Sequence, residues 1–414
     1  MSGVEVVVRS GGTDLPAGTL YTHRRGRTES STFAYDTGYL ADPAAYGLDP
    51  ELPLRAGPVQ TPTTRSLFGA FGDCAPDRWG RTLILRRETA LARAEQRAAR
   101  SLAEVDLLLG VRDDLRQGAL RFRTSPGGGF LADADVGVPA LVDLPALLDL
   151  AARAEADAAD LPDLQRLVRA GSSLGGARPK AHVLNRDGRV AIAKFPSADR
   201  DTWDVMAWEK VALDLARAAG IEVPASELLH LAGRHVLVLD RFDRTPGGER
   251  IGYVSAMTML EAVDHDRRSY LEIAEVVETT SPQPTRDLEQ LWRRVVLTVL
   301  VRNTDDHLRN HGFLHGRAGQ WRLSPAFDVN PTPVRGDAYL STSISAGDET
   351  ASLALALEVA DWFRLGPEQA RAVLAEVAAA VSRWRDVAAG HGLDHAAQER
   401  MAPAFVALGE AADV

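Results

Sequence analysis

The chain has 414 residues, 45% hydrophobic and 25% charged, and its 57 acidic against 47 basic side chains give a formal charge of −10. That length admits two or three domains with substantial cores, and the acidic balance excludes a chain that by itself grips nucleic-acid backbone. Cys74 is the only cysteine, which excludes an internal disulfide and cysteine-rich metal sites. With no basic start followed by an apolar run, and no apolar stretch long enough to cross a bilayer, the expectation is a cytoplasmic protein with no membrane partner.

Residues 4–8, 18–21 and 33–35 alternate or cluster as short strands, with Gly11, Gly12 and Gly18 between them. Residues 81–97, rich in Leu, Ala, Arg and Glu, predict a helix. A strand pattern returns at 119–123, before the loop at 125–129. From about 130 to 170 the composition shifts to Ala, Asp and Leu, with prolines at 139, 145 and 162, which predicts short helices broken at those prolines in a connecting region. Residues 181–184 and 190–195 are strand-like around Asn185-Arg186-Asp187-Gly188, a hairpin turn. An amphipathic helix over 203–219 stops at Gly220, and residues 236–239 read as a buried strand. Helical patterns dominate beyond about 245, with an apolar central helix over 288–301 and an alanine-rich tail interrupted near Pro403.

Several short motifs carry chemistry. Asp305 and Asn310 stand five positions apart after the apolar helix, the Asp-x-x-x-x-Asn spacing of a kinase catalytic loop, in which the Asp accepts the substrate hydroxyl proton and the Asn holds magnesium. Asp328, in Pro-Ala-Phe-Asp-Val, follows where a second magnesium ligand would stand. Upstream, residues 172–180 form a glycine-containing loop that opens onto a strand. Its backbone amides can cradle an anion, or it is a surface turn. Lys194 shares a strand face with Val190 and Ile192; it either meets phosphates and a helix carboxylate such as Glu209, or snorkels to solvent. Residues 237–244 end an apolar strand in a charged cluster, which is either a base-facing hinge or a set of structural salt bridges. Arg293, Arg294, Arg302 and Arg309 are a candidate basic patch or solvated helix faces. His307 beside two aspartates lacks the companion histidines of a catalytic metal centre. Each part is common by chance; their order along the chain is that of a kinase fold.

In that order the sequence resembles the HipA family of bacterial serine/threonine kinases, the toxins of type II toxin–antitoxin systems. Residues 173–180 resemble the family's phosphate loop. Residues 303–310 resemble its catalytic loop, with Asn-Thr-Asp in place of His-Arg-Asp, and 325–329 its metal-binding segment, which lacks the Gly of Asp-Phe-Gly. Residues 47–54 and 75–81 resemble the small N-terminal subdomain. The resemblance implies an α+β fold related to protein kinases: a mixed α/β N-terminal part with a small subdomain (1–165), an ATP-binding subdomain with the glycine loop (166–244) and a mostly helical catalytic domain (245–414). It implies Asp305 as proton acceptor, and Asn310 and Asp328 as ligands of Mg2+. ATP would contact Gly175, Gly176, Ala177, Arg178, Pro179, Lys180, Lys194 and His307, with Glu209 orienting Lys194 and Asp240, Arg241 and Phe242 facing adenine. The family more often carries Glu where this chain has Asp240. Autophosphorylation at Ser173, or at the adjacent Ser172, would eject the loop and silence the enzyme. The implied partners are a protein substrate such as an aminoacyl-tRNA synthetase and a HipB-like helix-turn-helix antitoxin, with DNA reached only through that antitoxin. A small-molecule phosphotransferase on the same fold, or a role mainly as transcriptional co-regulator, is the alternative.

Overall fold

Alternation of apolar and polar side chains at the start of the chain closes an antiparallel sheet. In the computed structural model, which describes residues 3–26, 28–131, 137–171, 176, 178–317 and 319–411, the strands β1 (Gly3–Ser10), β2 (Thr13–Arg25), β3 (Thr28–Tyr35), β4 (Pro58–Gln60) and β5 (Leu120–Arg123) lie in the order β4-β3-β2-β1-β5. The β1–β2 register slips after Val6, so that Val6 faces Gly18 and Val7 faces Pro16. A bulge absorbs the proline, which has no N–H for the ladder. Gly18 is required there, because a Cβ would lie 2.2 Å from the Ala34 carbonyl oxygen. The sheet buries Val6, Val8, Leu20, Phe33 and Phe122. Phe71 meets Phe33 and Phe122 edge-on at 5.5 and 6.0 Å between ring centres.

The chain divides into two units, one made of residues 1–200, 238–254 and 317–319, the other of 201–237, 255–316 and 320–414. In the first unit the expected helix after residue 80 runs from Arg78 to Ala94 and is capped by Asp77, whose side chain accepts from the Gly80 N–H at 2.7 Å. It packs against the helix Leu161–Arg169. Pro145 and Pro162 begin the helices Leu144–Glu155 and Leu161–Arg169 rather than breaking them. A proline is preset for a first helical turn, where its missing N–H costs nothing. The buried Leu144, Leu147, Leu148 and Ala151 make this stretch part of the core, not a connector. The hairpin of β6 (Lys180–Leu184) and β7 (Val190–Lys194) turns at residues 185–188, where Gly188 has φ +72° and the Asn185 Oδ1 accepts from the N–H groups of Asp187 and Arg189.

In the second unit β8 (Ser226–Leu231) adjoins β9 (Arg234–Asp240), of which only residues 234–237 belong to this unit. After β10 (Tyr253–Ser255) the pattern is helical. The helix Pro284–Leu300 is its centre, with Leu288, Leu291, Trp292, Val295, Val296, Leu297 and Leu300 buried. The helices Tyr270–Thr280 and Pro367–Ser382 pack on it. A short hairpin, β11 (Gly312–His315) with β12 (Trp321–Leu323), follows the loop that leaves the central helix. At the tail, the helix His395–Met401 gives way to a 3-10 turn at Ala402–Phe405, where Pro403 cannot continue the helical ladder. No helix among the described residues is long and apolar enough to cross a membrane.

Candidate active site

The central helix ends in a sharp exit. The Asn303 N–H returns to the Thr298 carbonyl at 2.9 Å while Arg302 takes φ +48°, a left-handed turn that stops the helix and starts the loop 303–310. Within it the two neighbouring aspartates separate. Asp306 is buried and accepts from the Tyr270 hydroxyl and, at 3.3 Å, from the Thr298 hydroxyl; His311 Nε2 lies 3.3 Å away. Burial alone would raise its pKa, but His311 and Tyr270 hold the carboxyl below its usual range. Asp305, by contrast, is exposed. Asp306 anchors the loop and leaves Asp305 at the surface.

The ends of the motif close on each other. The Asn310 Nδ2 donates to the Asp305 carbonyl at 3.1 Å, and the Asp305 carbonyl also accepts from the His307 N–H at 3.0 Å. With Nδ2 spent, the Asn310 Oδ1 is the side chain's remaining polar atom. His307 is half-buried, and its Nδ1 has no hydrogen-bond partner among the described residues. Ser341 braces the loop by donating its hydroxyl to the Thr304 carbonyl at 2.8 Å.

Asp328 is held by the same loop. Asn303 Oδ1 accepts from the Asn330 N–H at 3.2 Å, and Asn330 Nδ2 points to the Asp328 carbonyl and carboxylate at 3.2 and 3.4 Å. Asp328 has φ +58°, a left-handed conformation that aspartate tolerates better than most residues. Asn330 was not singled out from the sequence; the only available signal was an amide two residues beyond the expected metal ligand. An amide oxygen on Asn310 and a carboxylate on Asp328 are hard oxygen donors of the kind magnesium takes, so the residues fit the ion.

Ser172, Ser173, Gly175 and Ala177 lie outside the described residues. Gly176 is exposed with φ +110°, Arg178 is half-buried, and Pro179 is buried, its carbonyl accepting from the Phe195 N–H at 2.9 Å. Lys194 shares its strand face with Val190 and Ile192, all half-buried, while Ala191, Ala193 and Phe195 face the core. Directly across the hairpin stands Lys180. Like charges so placed repel, and Asp77 answers: its Oδ2 lies 2.5 Å from Lys180 Nζ, with both side chains almost fully buried. Asp77 is a second residue that the sequence did not reveal, because its partner is 103 positions away.

At the end of β9, Asp240 accepts from Asn185 Nδ2 and Arg189 Nη2 at 2.8 and 2.9 Å. Arg241 is buried, forks onto Asp243 at 2.8 and 2.6 Å and donates to the carbonyls of Leu115 and Arg116. Burial would push Asp243 up, yet Arg241 and Arg244 keep it well below the usual carboxylate range. The Arg241 side chain is therefore spent on structure, and the salt-bridge reading of this cluster describes it. Phe242 is half-buried, its ring 6.2 Å from that of Tyr253. In the second unit Glu209 is a buried carboxylate on the helix Val205–Ala218. The four arginines that are a candidate basic patch or solvated helix faces are engaged one by one: Arg293 pairs with Glu289 and Glu376, Arg294 is buried against the Ser324 carbonyl, Arg302 serves the carbonyls of Val334 and Gly336, and Arg309 pairs with Asp264.

Residues 172–384 match the family model described as the HipA-like C-terminal domain, and residues 12–122 the HipA N-terminal domain. The chain is 30% identical over 157 residues to a Sinorhizobium fredii protein named "Putative kinase Y4dM", covering 34% of this chain and 37% of that one. It is 22% identical over 190 residues to a Haemophilus influenzae protein named "Putative kinase", covering 39% and 54%. The alignments thus span 37% and 54% of the length of these curated relatives. Among solved structures, it is similar to HipA of Shewanella oneidensis, determined in a complex with HipB and its operator DNA, at a TM-score of 0.68 and 16% identity over 99% of both chains. At that identity the likeness speaks for the fold.

Proposed function

The chain belongs to the HipA family, and on that premise we propose that it is an ATP- and magnesium-dependent serine/threonine protein kinase, the toxin of a toxin–antitoxin pair. The observation that carries the reading is the closure of the loop 303–310: Asn310 bonds back to the Asp305 carbonyl, Asp305 stays exposed and Asp306 is buried as the anchor. Asp305 is the base that takes the proton of the acceptor hydroxyl, within a loop braced against the substrate's approach. Asn310 and Asp328 hold magnesium, which when bound neutralises charge developing on the transferred phosphoryl group. Lys194 and the backbone of the glycine loop receive the ATP phosphates. Adenine is met by backbone groups of residues 240–242, since the Arg241 side chain is engaged elsewhere. Phosphorylation of Ser173 adds a charge that repels the ATP phosphates and switches the enzyme off.

The partners follow from the family: a protein substrate, with an aminoacyl-tRNA synthetase the first to try, and a HipB-like antitoxin that carries the DNA contact. Incubating the full chain with radiolabelled ATP and magnesium, alone and with a lysate, tests this. Label is expected on protein in the wild type and is absent in Asp305→Ala. No label on any protein would sink the kinase reading, and label on a small metabolite would transfer it to the small-molecule alternative. Phosphosite mapping separates Ser173 from Ser172.

A further inference from the structure

We infer that Asn330 is the positioning residue that sets Asp328 against the catalytic loop, an inference that rests on the kinase reading above. Three observations meet at this side chain. Its backbone N–H donates to Asn303 at the head of the loop, at 3.2 Å. Its side-chain Nδ2 reaches back to the Asp328 carbonyl at 3.2 Å and to the carboxylate at 3.4 Å. Its Oδ1 is buried without a hydrogen-bond partner among the described residues. A buried acceptor left unpaired is a cost that folded proteins rarely carry without compensation. Asp328 bears a second cost, a left-handed φ of +58°.

Both costs sit in one two-residue step, and Asn330 explains both. Turning the amide so that Nδ2 faces Asp328 commits Oδ1 to the interior. That same Nδ2 holds the Asp328 carbonyl and carboxylate in the strained conformation. The Asn303 link then fixes Asp328 relative to Asp305 and Asn310, which lie in the loop that Asn303 begins. Aspartate at position 330 would set a second carboxylate against Asp328 where the amide now donates, and alanine would remove the two contacts that Nδ2 makes to Asp328.

The experiment uses the full chain and reads metal binding apart from turnover. Mn2+ affinity is measured by electron paramagnetic resonance in the presence of a non-hydrolysable ATP analogue. Nucleotide affinity without metal is measured with a fluorescent ATP analogue in EDTA. In Asn330→Ala the Mn2+ Kd is expected to rise about 10-fold or more, the scale seen when a partner that orients a metal ligand is removed, while metal-free nucleotide affinity stays at the wild-type value. A purely structural role would lower both together. Asn303→Ser removes the second hold, the acceptor of the Asn330 backbone N–H that Asn330→Ala keeps, and carries the test if Asn330→Ala does not fold: weaker Mn2+ supports the inference and unchanged Mn2+ overturns it. Asp328→Ala separates the two levels. Mn2+ binding lost in Asp328→Ala but intact in Asn330→Ala removes Asn330 from the site alone; Mn2+ binding indifferent to Asp328→Ala removes the kinase reading itself.

Discussion

Replacing Lys180 by methionine keeps the volume of the side chain and deletes its charge, leaving Asp77 buried without its cation. The two side chains are only 5% and 4% exposed with 2.5 Å between Nζ and Oδ2, so water screens neither. Breaking a buried pair by removing one member costs about 3–5 kcal/mol, because the surviving charge is uncompensated. In a domain of this size, at about 2–4 °C per kcal/mol, that lowers Tm by roughly 6–20 °C. The loss should depend on pH, and its sign is fixed. Burial already raises the Asp77 carboxyl above its ordinary value, with Lys180 the largest opposing influence. Without Lys180 the folded-state pKa rises further while the unfolded one does not. The folded variant then holds a proton that the unfolded chain releases, so its stability falls as pH climbs from the ordinary aspartate value towards the raised one, by at most about 1.4 kcal/mol per pH unit.

Urea unfolding at pH 5 and pH 8, with wild type alongside, checks both statements. The deficit of Lys180→Met should be present at both pH values and larger at pH 8. The double variant Asp77→Asn/Lys180→Met restores neutrality and keeps an oxygen for the Gly80 N–H, and should return to within about 2 kcal/mol of wild type. A deficit below about 1 kcal/mol that is flat with pH would refute the buried-pair argument, since that is how a solvated surface pair behaves. The double variant also settles the second role given to Lys180. If it folds normally yet loses nucleotide affinity, the lysine serves the phosphates as well as Asp77.

Four other outcomes follow from the same reasoning. Asp305→Ala should change stability by no more than about 0.5 kcal/mol because the side chain is exposed. Asp306→Ala should cost about 3 kcal/mol or more by stranding the Tyr270 hydroxyl, Thr298 and His311, with calorimetry of the pair as the check. Asp214 is lowered to about 2; burial would raise it, but the hydrogen bonds and charges of His391 and Lys210 prevail. A carboxyl lowered on folding contributes stability that is present above its unfolded pKa and lost as pH falls through the folded one. Acid titration between about pH 4 and pH 2 should therefore be less steep in Asp214→Asn than in wild type. Gly171 has φ +98°, and a Cβ there would lie 2.2 Å from His182 Nδ1. Gly171→Ala should lower the unfolding free energy by about 2 kcal/mol or more, and an unchanged urea midpoint would contradict the packing described.

What the sequence made legible was whatever depends on neighbours along the chain. Strand alternation put Val190, Ile192 and Lys194 on one face, and the turn residues 185–188 put the hairpin where it lies. The apolar run ahead of Asn303 is the buried central helix, and the five-residue step from Asp305 to Asn310 is short enough for the loop to close on itself. What stayed hidden depends on charges meeting across the fold. Lys180 reads as a phosphate contact because a basic residue ends a glycine loop, and nothing local reveals that Asp77 waits 103 positions upstream. Arg241 reads as part of a hinge or of a local salt-bridge cluster, and neither reading shows that its guanidinium also serves carbonyls more than 120 residues earlier.

The adjacent aspartates sharpen that contrast. Position alone makes Asp305 and Asp306 equivalent carboxylates at the head of a loop, and only the motif spacing favours the first. The fold breaks the equivalence by desolvation. One carboxylate is enclosed by a tyrosine, a threonine and a histidine, and the other is exposed. A buried, fully engaged aspartate could not take a substrate's proton without surrendering the bonds that hold the loop. An exposed aspartate on an unanchored loop could not keep its place relative to Asn310 and Asp328. The division of labour between the two is therefore what the base proposed at position 305 requires, and it appears only once Tyr270 and His311 are packed around Asp306.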